Sequence, residues 1–448
     1  MNRNILFVIL ISLVLLIGCD SQPETVRTAE APPTNQPPPE PQPQLLTYDL
    51  LREPMEPLLV ETSSEVLPLW SKSLKSQPIL VLLSNDPFLK PVPQVFKEDA
   101  VELVKTGNIS DALADLDPSA PDPLFFPQMV LDVALQSQLF SQVFWVISGD
   151  ESFKQQTAES FGKHLVSYGA ISATEVNTFS RNEHGFTGQI HGRPFTAVHE
   201  SSLPTITGPV LLHIDLSYFK PIYKGEIKTP LYSLLYQTLN RLRAANLSTA
   251  AVSISLSNLG GNLPLATRFI GQTLSKLFLE PQLLDAPLPD NWEIRRQALY
   301  LENFFQKEKV HELTLGLQTN TPQDASASYA LYRSLRELKK GSEALAALAE
   351  AVRLEPAYGL EYLTLSATAL EKKRPDQALK MLDLAITAFP DNPFIPLQKA
   401  ELLIQLGHSS AAVDILRQLQ QVPWSGVYYA QLPDYIDSLL TPDPSTTD

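Results

Sequence analysis

A 34-residue period in the second half of the chain limits the possible folds more than any other feature of the sequence. A small residue lets two helices cross closely, and a proline ends a helix, so each period predicts one helix pair that stacks on the next. Three sets of residues share the spacing: Ala344, Ala378 and Ala412; Leu348, Leu382 and Leu416; and Pro322, Pro356 and Pro390.

This pattern resembles the tetratricopeptide repeat (TPR), a family of helix pairs that stack into a solenoid. Two units fit well, at residues 325–358 and 359–392, and another begins at Pro393. The alternative is an unrelated helical bundle whose spacing matches by chance. Three positions that share one period favour the repeat.

A degenerate unit precedes these at residues 291–324, where Pro322 is kept but Val310 stands in place of the expected alanine. Four helix pairs exceed the minimum of about three that a solenoid needs. We therefore expect an all-α, TPR-like helical-repeat solenoid over residues 291–424, with a capping helix and tail over residues 425–448.

The first helix of each pair forms the inner face of a TPR solenoid, so the resemblance implies a partner-binding face in this chain. Its mixture of apolar and charged positions suits an extended or helical peptide. The alternative is that this face packs against the protein's own first domain. The positions are Tyr329, Arg333 and Arg336 in one unit, Leu363, Ala367 and Leu370 in the next, and Phe394, Leu397 and Glu401 in the last.

The N-terminus has the pattern of an export signal. Arg3 is followed by a run of 13 residues at 5–17 that is apolar except for Ser12, and this is shorter than the roughly 20 residues needed to span a bilayer. The run closes with Leu-Ile-Gly-Cys and resembles the lipobox of bacterial lipoproteins. That resemblance implies a signal peptide at 1–18 and a lipidated Cys19; the alternative is a buried cysteine after a short membrane helix. We expect a protein lipid-anchored in the bacterial cell envelope, with its folded part outside the cytoplasm, in the periplasm if the cell is Gram-negative.

The lipidated cysteine begins a proline-rich linker over residues 19–44, in which eight prolines lie between 21 and 44. Such a run cannot pack a core and favours extended polyproline II. We predict a stalk that holds the folded part away from the membrane. A formal charge of −15 leaves little basic surface for phosphates, so nucleic acid is not expected as a partner.

Residues 45–289 alternate apolar runs with helical stretches, which predicts an α/β domain with a mainly parallel sheet. A hairpin is expected at 187–199, around His191-Gly192-Arg193. The other predicted strands lie at 78–83, 142–147, 210–216 and 250–256, and the helices at 126–138, 229–245 and 265–278.

This region resembles an uncharacterised arginase-like family of the ureohydrolase and deacetylase fold. The resemblance lies in the order of its segments, which are FFPQMVLDVALQSQLFSQVFWV, a hairpin, HIDLSYF and VSISLSNLGGN. Members of that fold bind two divalent metals and hydrolyse C–N bonds with metal-activated water. Their ligands follow D-x-H-x-D after one strand and D-x-D after a later strand. The resemblance implies the same fold for residues 45–289.

The metal ligands of that family are only partly present. Asp215 matches the first carboxylate of D-x-D, but Ser217 takes the second place, and Asp86 follows its strand without the expected histidine. His213 lies two residues before Asp215, on the same face of the strand. A two-metal centre needs several carboxylates, so we interpret Asp86, His213 and Asp215 as a vestigial metal site and expect no cofactor. Histidines 184, 191 and 199, in or beside the hairpin, are expected to be ordinary surface or edge residues.

Two hypotheses for function follow. The leading one is a membrane-anchored cell-envelope lipoprotein that acts as a protein-interaction or scaffold module through its repeats, with a non-catalytic arginase-like domain. The alternative is a metal-dependent hydrolase of C–N bonds in an amidine, guanidino or amide substrate. In that case Asp215, Asp86 and His213 would hold a divalent transition metal.

Overall fold

The computed structural model describes residues 45–441, except 108, 110–111, 149–152, 154–155, 170 and 260–262. The predicted signal peptide, the lipidation site Cys19 and the proline-rich linker lie outside the described residues, as does the end of the tail. Within the described part of the chain, no helix is both long enough and apolar enough to cross a membrane.

The first region is built on one sheet, whose described strands lie in the order β1-β9-β8-β3-β4-β7-β6-β5, with β2 also paired to β9. The strands are β1 (Tyr48–Asp49), β2 (Leu58–Val60), β3 (Ile79–Leu83), β4 (Gln142–Ile147), β5 (Ser180–Arg181), β6 (Gly185–Ile190), β7 (Arg193–His199), β8 (Val210–Asp215) and β9 (Ser248–Ser255).

The sheet is mixed, and this confirms the prediction of an α/β region. Five of its eight pairings are parallel: β3 with β4 and with β8, β8 with β9, β4 with β7, and β2 with β9. The other three are antiparallel and lie toward the two edges, where β1 joins β9 and β5, β6 and β7 form hairpins. The parallel centre explains the continuous apolar runs of the sequence, because such strands are covered on both faces.

Alternate side chains of the central strands enter two separate cores. Leu80 and Leu82 of β3 belong to one core, and Val81 and Leu83 belong to the other. Helices pack on both faces of the sheet and bury these side chains. They are α1 (Leu67–Ser71), α2 (Lys97–Thr106), α3 (Val130–Gln136), α4 (Ala158–Ser167), α5 (Ala173–Val176), α6 (Leu231–Ala244) and α7 (Phe269–Leu279).

The second region is helical throughout and consists of four antiparallel pairs and a last helix. Unit 1 has α8 (Asp290–Glu302) and α9 (Lys307–Asn320), and unit 2 has α10 (Ala325–Glu337) and α11 (Gly341–Leu354). Unit 3 has α12 (Leu360–Glu371) and α13 (Pro375–Ala388), and unit 4 has α14 (Phe394–Gln405) and α15 (Ser409–Leu419). The chain then adds α16 (Leu432–Leu440), inside the segment predicted to cap the array.

The turn between the two helices repeats with the 34-residue period in all four units. One residue in each turn has a left-handed backbone, with φ between 55° and 79°. The next residue donates its main-chain N–H to a carbonyl five positions back, at 2.8 to 3.4 Å, which closes the first helix. The degenerate unit 1 therefore has the same geometry as the others. The left-handed residues are Phe305, Lys339, Lys373 and Gly407.

The repeat region contacts the α/β region at two separate places. Between units 2 and 3, Arg268 bonds to Glu61, which like Arg268 belongs to the α/β region, and to Glu355, the residue after α11. After unit 4, the ring of Tyr428 lies 4.7 Å from the ring of Phe126, and the N–H of Ser425 donates to the carbonyl of Pro121 at 2.9 Å. These contacts join the two regions, and they do not involve the first-helix side chains predicted to form the partner-binding face.

Candidate functional site

The polar side chains predicted at the strand ends meet around Asp215. Asp215 is fully buried at the end of β8. Its Oδ1 accepts a hydrogen bond from the main-chain N–H of Ser217 at 2.9 Å. Its Oδ2 accepts from Ser255 Oγ at 2.5 Å and from Ser257 Oγ. Three donors therefore satisfy the carboxylate without a cation.

His213 lies on the same face of β8 and is connected to Asp215 through Ser255. The Oγ of Ser255 gives its single proton to Asp215, so it accepts from His213 Nε2, 3.1 Å away. The other ring nitrogen, Nδ1, lies 2.9 Å from the Oγ of Ser253, which serves as its donor. Complete burial lowers the pKa of His213 to about 3, so the imidazole is neutral at physiological pH.

Asp86 reaches the same edge of the sheet from the loop after β3. Its Oδ1 accepts from the N–H of Phe88 at 2.7 Å, and its Oδ2 accepts from the hydroxyl of Tyr168 at 2.5 Å. Burial raises the pKa of Asp86, and the nearby charge of Asp215 raises it further. The structure thus brings all three predicted residues to one edge.

The site does not fit the two-metal centre that the resemblance implies. Every ligand atom of Asp215 and His213 already bonds to a hydroxyl or an N–H group. Among the residues that the structure describes, no group of three or more His, Cys, Asp or Glu side chains could hold a metal ion. The hydroxyls that bond to Oδ2 of Asp215 come from Ser255 at the end of β9 and from Ser257 in the loop after it.

Sequence reasoning missed the serines that bind Asp215 and His213. Their role depends on the register of two strands, in which His213 pairs with Ser253 and Asp215 pairs with Ser255. A weak signal was present, because Ser253 and Ser255 alternate along one face of an apolar strand, and Ser257 follows two residues later in the loop.

His191 has a partner that the sequence did not reveal. Its Nε2 lies 2.7 Å from Oδ1 of Asp132, whose side chain is buried in α3. His191 and Gly192 both have left-handed backbones, as a two-residue hairpin turn requires. The contact fixes the hairpin to the helix, and this is a structural role.

We expect His213 to make the stability of the protein depend on pH. Its pKa is about 3 when folded, against an ordinary value of 6.5, so between these values the unfolded chain binds one proton more than the folded chain. The contribution is present above pH 6.5 and is lost as the pH falls toward 3. Chemical denaturation of the wild type and of His213→Gln should show a pH dependence of the unfolding free energy that is shallower in the variant by roughly 1 kcal/mol per pH unit. If the unfolding free energy had the same slope against pH in the wild type and the variant, His213 would not be the source of the pH dependence.

Much of the predicted partner face is used within the array itself. Tyr329 is only 6% exposed, and its hydroxyl donates to Glu361 of the next unit at 2.7 Å. Arg336 donates to the same carboxylate at 2.7 Å, and Arg333 donates to Glu302 of the preceding unit at 3.2 Å. These side chains connect neighbouring first helices, and Tyr329 offers little surface to a partner.

The last unit of the predicted face is covered by the chain that follows it. Leu397 is 6% exposed and belongs to a core shared with α16. The ring of Phe394 lies 5.4 Å from Trp424 and 5.2 Å from Tyr429. The placement of Leu397 on a free binding face was therefore wrong, because the segment before α16 folds back over it.

The middle of the face remains open. Leu363, Ala367 and Leu370 lie at positions i, i+4 and i+7 of α12, on one side of the helix. Leu370 is 41% exposed, Ala367 is also exposed, and Leu363 is half-buried. We call these three residues the open strip.

Residues 369–422 match the family model of the tetratricopeptide repeat. The match begins within α12 and includes Leu370 of the open strip. No curated protein sequence matches the chain.

Two solved structures are similar over the length of their own chains. One is the crystal structure of MamA, with 15% identity and a TM-score of 0.23 over 34% of this chain and 91% of that one. The other is a thermophilic TPR protein in Thermus thermophilus, with 20% identity and a TM-score of 0.22 over 39% of this chain and 95% of that one. The repeat assignment comes from the family match and the 34-residue geometry. None of these matches bears on the arginase-like resemblance, which stays a prediction.

Proposed function

We propose that this protein is a lipid-anchored protein of the bacterial cell envelope that binds a protein partner through the open strip of its TPR repeats. The observation that carries the proposal is the repeat match at 369–422 together with the exposure of Leu370 inside it. TPR repeats generally bind protein partners, and an apolar strip on a first helix suits one face of a helical or extended peptide.

The anchor in this proposal is Cys19, which the lipobox pattern supports. The linker from 19 to 44, in the polyproline II form, reaches about 80 Å at roughly 3.1 Å per residue. A protein held by such a linker can meet partners at some distance from the membrane surface.

The α/β region has a non-catalytic role in this proposal. Its strand-end carboxylate bonds to serine hydroxyls and a main-chain N–H, and it contacts the helices at Glu355, between units 2 and 3, and at Tyr428, after unit 4. We infer that it supports the repeats and fixes which part of their inner face stays open.

The double substitution Ala367→Glu with Leu370→Glu is expected to lower partner recovery at least tenfold. Both side chains are exposed, so the fold tolerates the change, while two carboxylates would be buried without a partner in an apolar contact. Tagged protein is isolated from native membranes and the co-purified partner is quantified. The matched control is Leu345→Glu on the second helix of unit 2, where the leucine is 36% exposed. Equal recovery from both variants would contradict the proposal.

A further inference from the structure

A small cavity lies where the first two repeat units meet the α/β region. Its walls come from α8, α9 and α10 of the repeats and from Phe269 of the α/β region, and Ala298 and Leu317 make them largely apolar. The centres of water-sized atoms can occupy about 20 Å³ of it, more than the roughly 10 to 15 Å³ that one water needs. The cavity therefore has room for one small planar group of a ligand, and a larger body has to stay outside.

Two buried side chains in the lining of the cavity have hydrogen-bond donors that the fold does not use. The side chain of Arg295 is 9% exposed, and its Nη2 donates to Asp324 at 3.2 Å and to Ser326 at 2.8 Å. Within the described part of the chain its Nε and Nη1 make no hydrogen bond, which leaves three N–H groups. The hydroxyl of Tyr358, a residue with 0% exposure, has no partner there either. Because an unpaired buried donor is costly, these groups call for an acceptor from outside the chain.

Glu302 and Arg333 lie at the mouth of the cavity. They are the most exposed polar side chains of its lining, at 34% for Glu302 and 38% for Arg333. Nη2 of Arg333 donates to Oε2 of Glu302 at 3.2 Å, and Oε1 of Glu302 accepts no hydrogen bond from a described residue. A ligand group that enters thus meets an acceptor at the mouth and donors at the buried end.

The charges beside the cavity favour a neutral ligand group. Three arginines and four acids form ion pairs with one another there, so the acids exceed the arginines by one. A carboxylate would add to the negative charge. The arginines are Arg268, Arg295 and Arg333, and the acids are Glu61, Glu302, Asp324 and Glu355.

We propose that the cavity binds the side-chain carboxamide of an asparagine or glutamine of the protein partner. The carbonyl oxygen accepts from Arg295 and Tyr358, and the NH2 group donates to Oε1 of Glu302. The adjoining methylene packs against the apolar walls. A carboxylate has no donor for Glu302, and an ammonium group has no acceptor for Arg295.

The inference rests on the proposed binding of a partner through the open strip, and one peptide can use both places. The mouth of the cavity lies between α8 and α10, and the open strip lies on α12, the next first helix. Axes of packed helices are roughly 8 to 10 Å apart, and an extended peptide advances about 3.3 Å per residue. A partner peptide thus needs roughly three to five residues between the strip and the cavity.

Acetamide and acetate are suitable small ligands for a first test, because they have the same shape and differ in charge. Residues 20–448 are the form to use, since they keep every described residue and the four hydrophobic cores contain no residue before Leu50. Titration followed by ligand-observed NMR gives both affinities. We expect acetamide to bind at least about tenfold more tightly than acetate. Tighter binding of acetate, or no binding of acetamide, would overturn the inference.

The deciding variant is Tyr358→Phe. The ring of Tyr358 lies 4.7 Å from that of Tyr329, and phenylalanine keeps this packing while it removes a hydroxyl without a partner. The variant should therefore unfold at the same or a higher temperature, and its affinity for acetamide should fall roughly tenfold. Tyr236→Phe is the matched control: the hydroxyl of Tyr236 is likewise buried and unpaired among the described residues, and Tyr236 does not line the cavity. Equal affinities of the two variants for acetamide would also overturn the inference.

Recovery of the partner from native membranes connects the cavity with the proposed function. Tyr358→Phe should lower this recovery roughly tenfold, and Tyr236→Phe should leave it unchanged. If Ala367→Glu with Leu370→Glu lowers the recovery and Tyr358→Phe does not, partner binding stands and the inference is overturned. If none of the variants lowers it, the proposed function fails, and the acetamide affinity of Tyr358→Phe still decides whether the cavity binds a carboxamide.

Discussion

Replacing Arg268 with alanine is expected to lower the free energy of unfolding by about 3 to 5 kcal/mol. The side chain of Arg268 is 1% exposed and donates to Glu61 at 2.5 and 2.7 Å and to Glu355 at 3.0 Å. Without it, two carboxylates that are only 30% and 24% exposed lose their shared cation. Because Glu61 and Glu355 belong to different regions, the variant should also loosen the repeats from the sheet.

Urea denaturation followed by circular dichroism measures the first effect, and limited proteolysis between residues 286 and 289 measures the second. The control is Arg243→Ala, which breaks a bidentate pair with Asp285, a carboxylate that is 66% exposed. Exposed pairs contribute up to about 1 kcal/mol, so the control should be nearly as stable as the wild type. If both variants lost the same free energy of unfolding, the bonds of Arg268 to Glu61 and Glu355 would not be what joins the two regions.

Replacing Asp215 with alanine is expected to lower the free energy of unfolding by about 2 to 4 kcal/mol. The change leaves the hydroxyls of Ser255 and Ser257 and the N–H of Ser217 without their acceptor in a buried site. The same denaturation experiment checks it, with Asp285→Ala as the exposed control.

Asp215→Ala also separates this account from metal-dependent hydrolysis. If Asp215 were a metal ligand, protein purified without chelator would carry a stoichiometric transition metal that the variant loses. Elemental analysis of both proteins decides the question. We expect the same trace metal content in each, and a stoichiometric metal lost on substitution would contradict a purely structural carboxylate.

The regular elements could be predicted because they carry long or periodic signals. The strand expected at 142–147 has those bounds in the structure, and the 34-residue period gave the helix pairs. The edge strands β1, β2 and β5 were missed, since two or three residues are too few to show alternation.

The contacts that define the site depend on residues far apart in the chain. The shared face of His213 and Asp215 follows from the period of a strand, but their serine partners follow from the register with β9. Arg268 was missed because Glu61 lies 207 residues away and Glu355 lies 87 residues away. No local pattern identifies such partners.

The repeat resemblance gave the right helices and only part of the binding face. It could not show that Tyr329 bonds to the next unit, or that residues 422–431 return over Phe394 and Leu397. Segments that follow the repeats can cover the inner face. The repeat pattern carries no information about how those segments fold.

Site-specific photo-crosslinking in native membranes tests the central claim most directly. A photoreactive phenylalanine replaces Leu370 in the open strip or, as the control, Leu345 on the second helix of unit 2; both leucines are exposed. We predict one discrete adduct with a partner protein from position 370, and none from position 345. No adduct from position 370, or the same adducts from both positions, would contradict partner binding through the open strip.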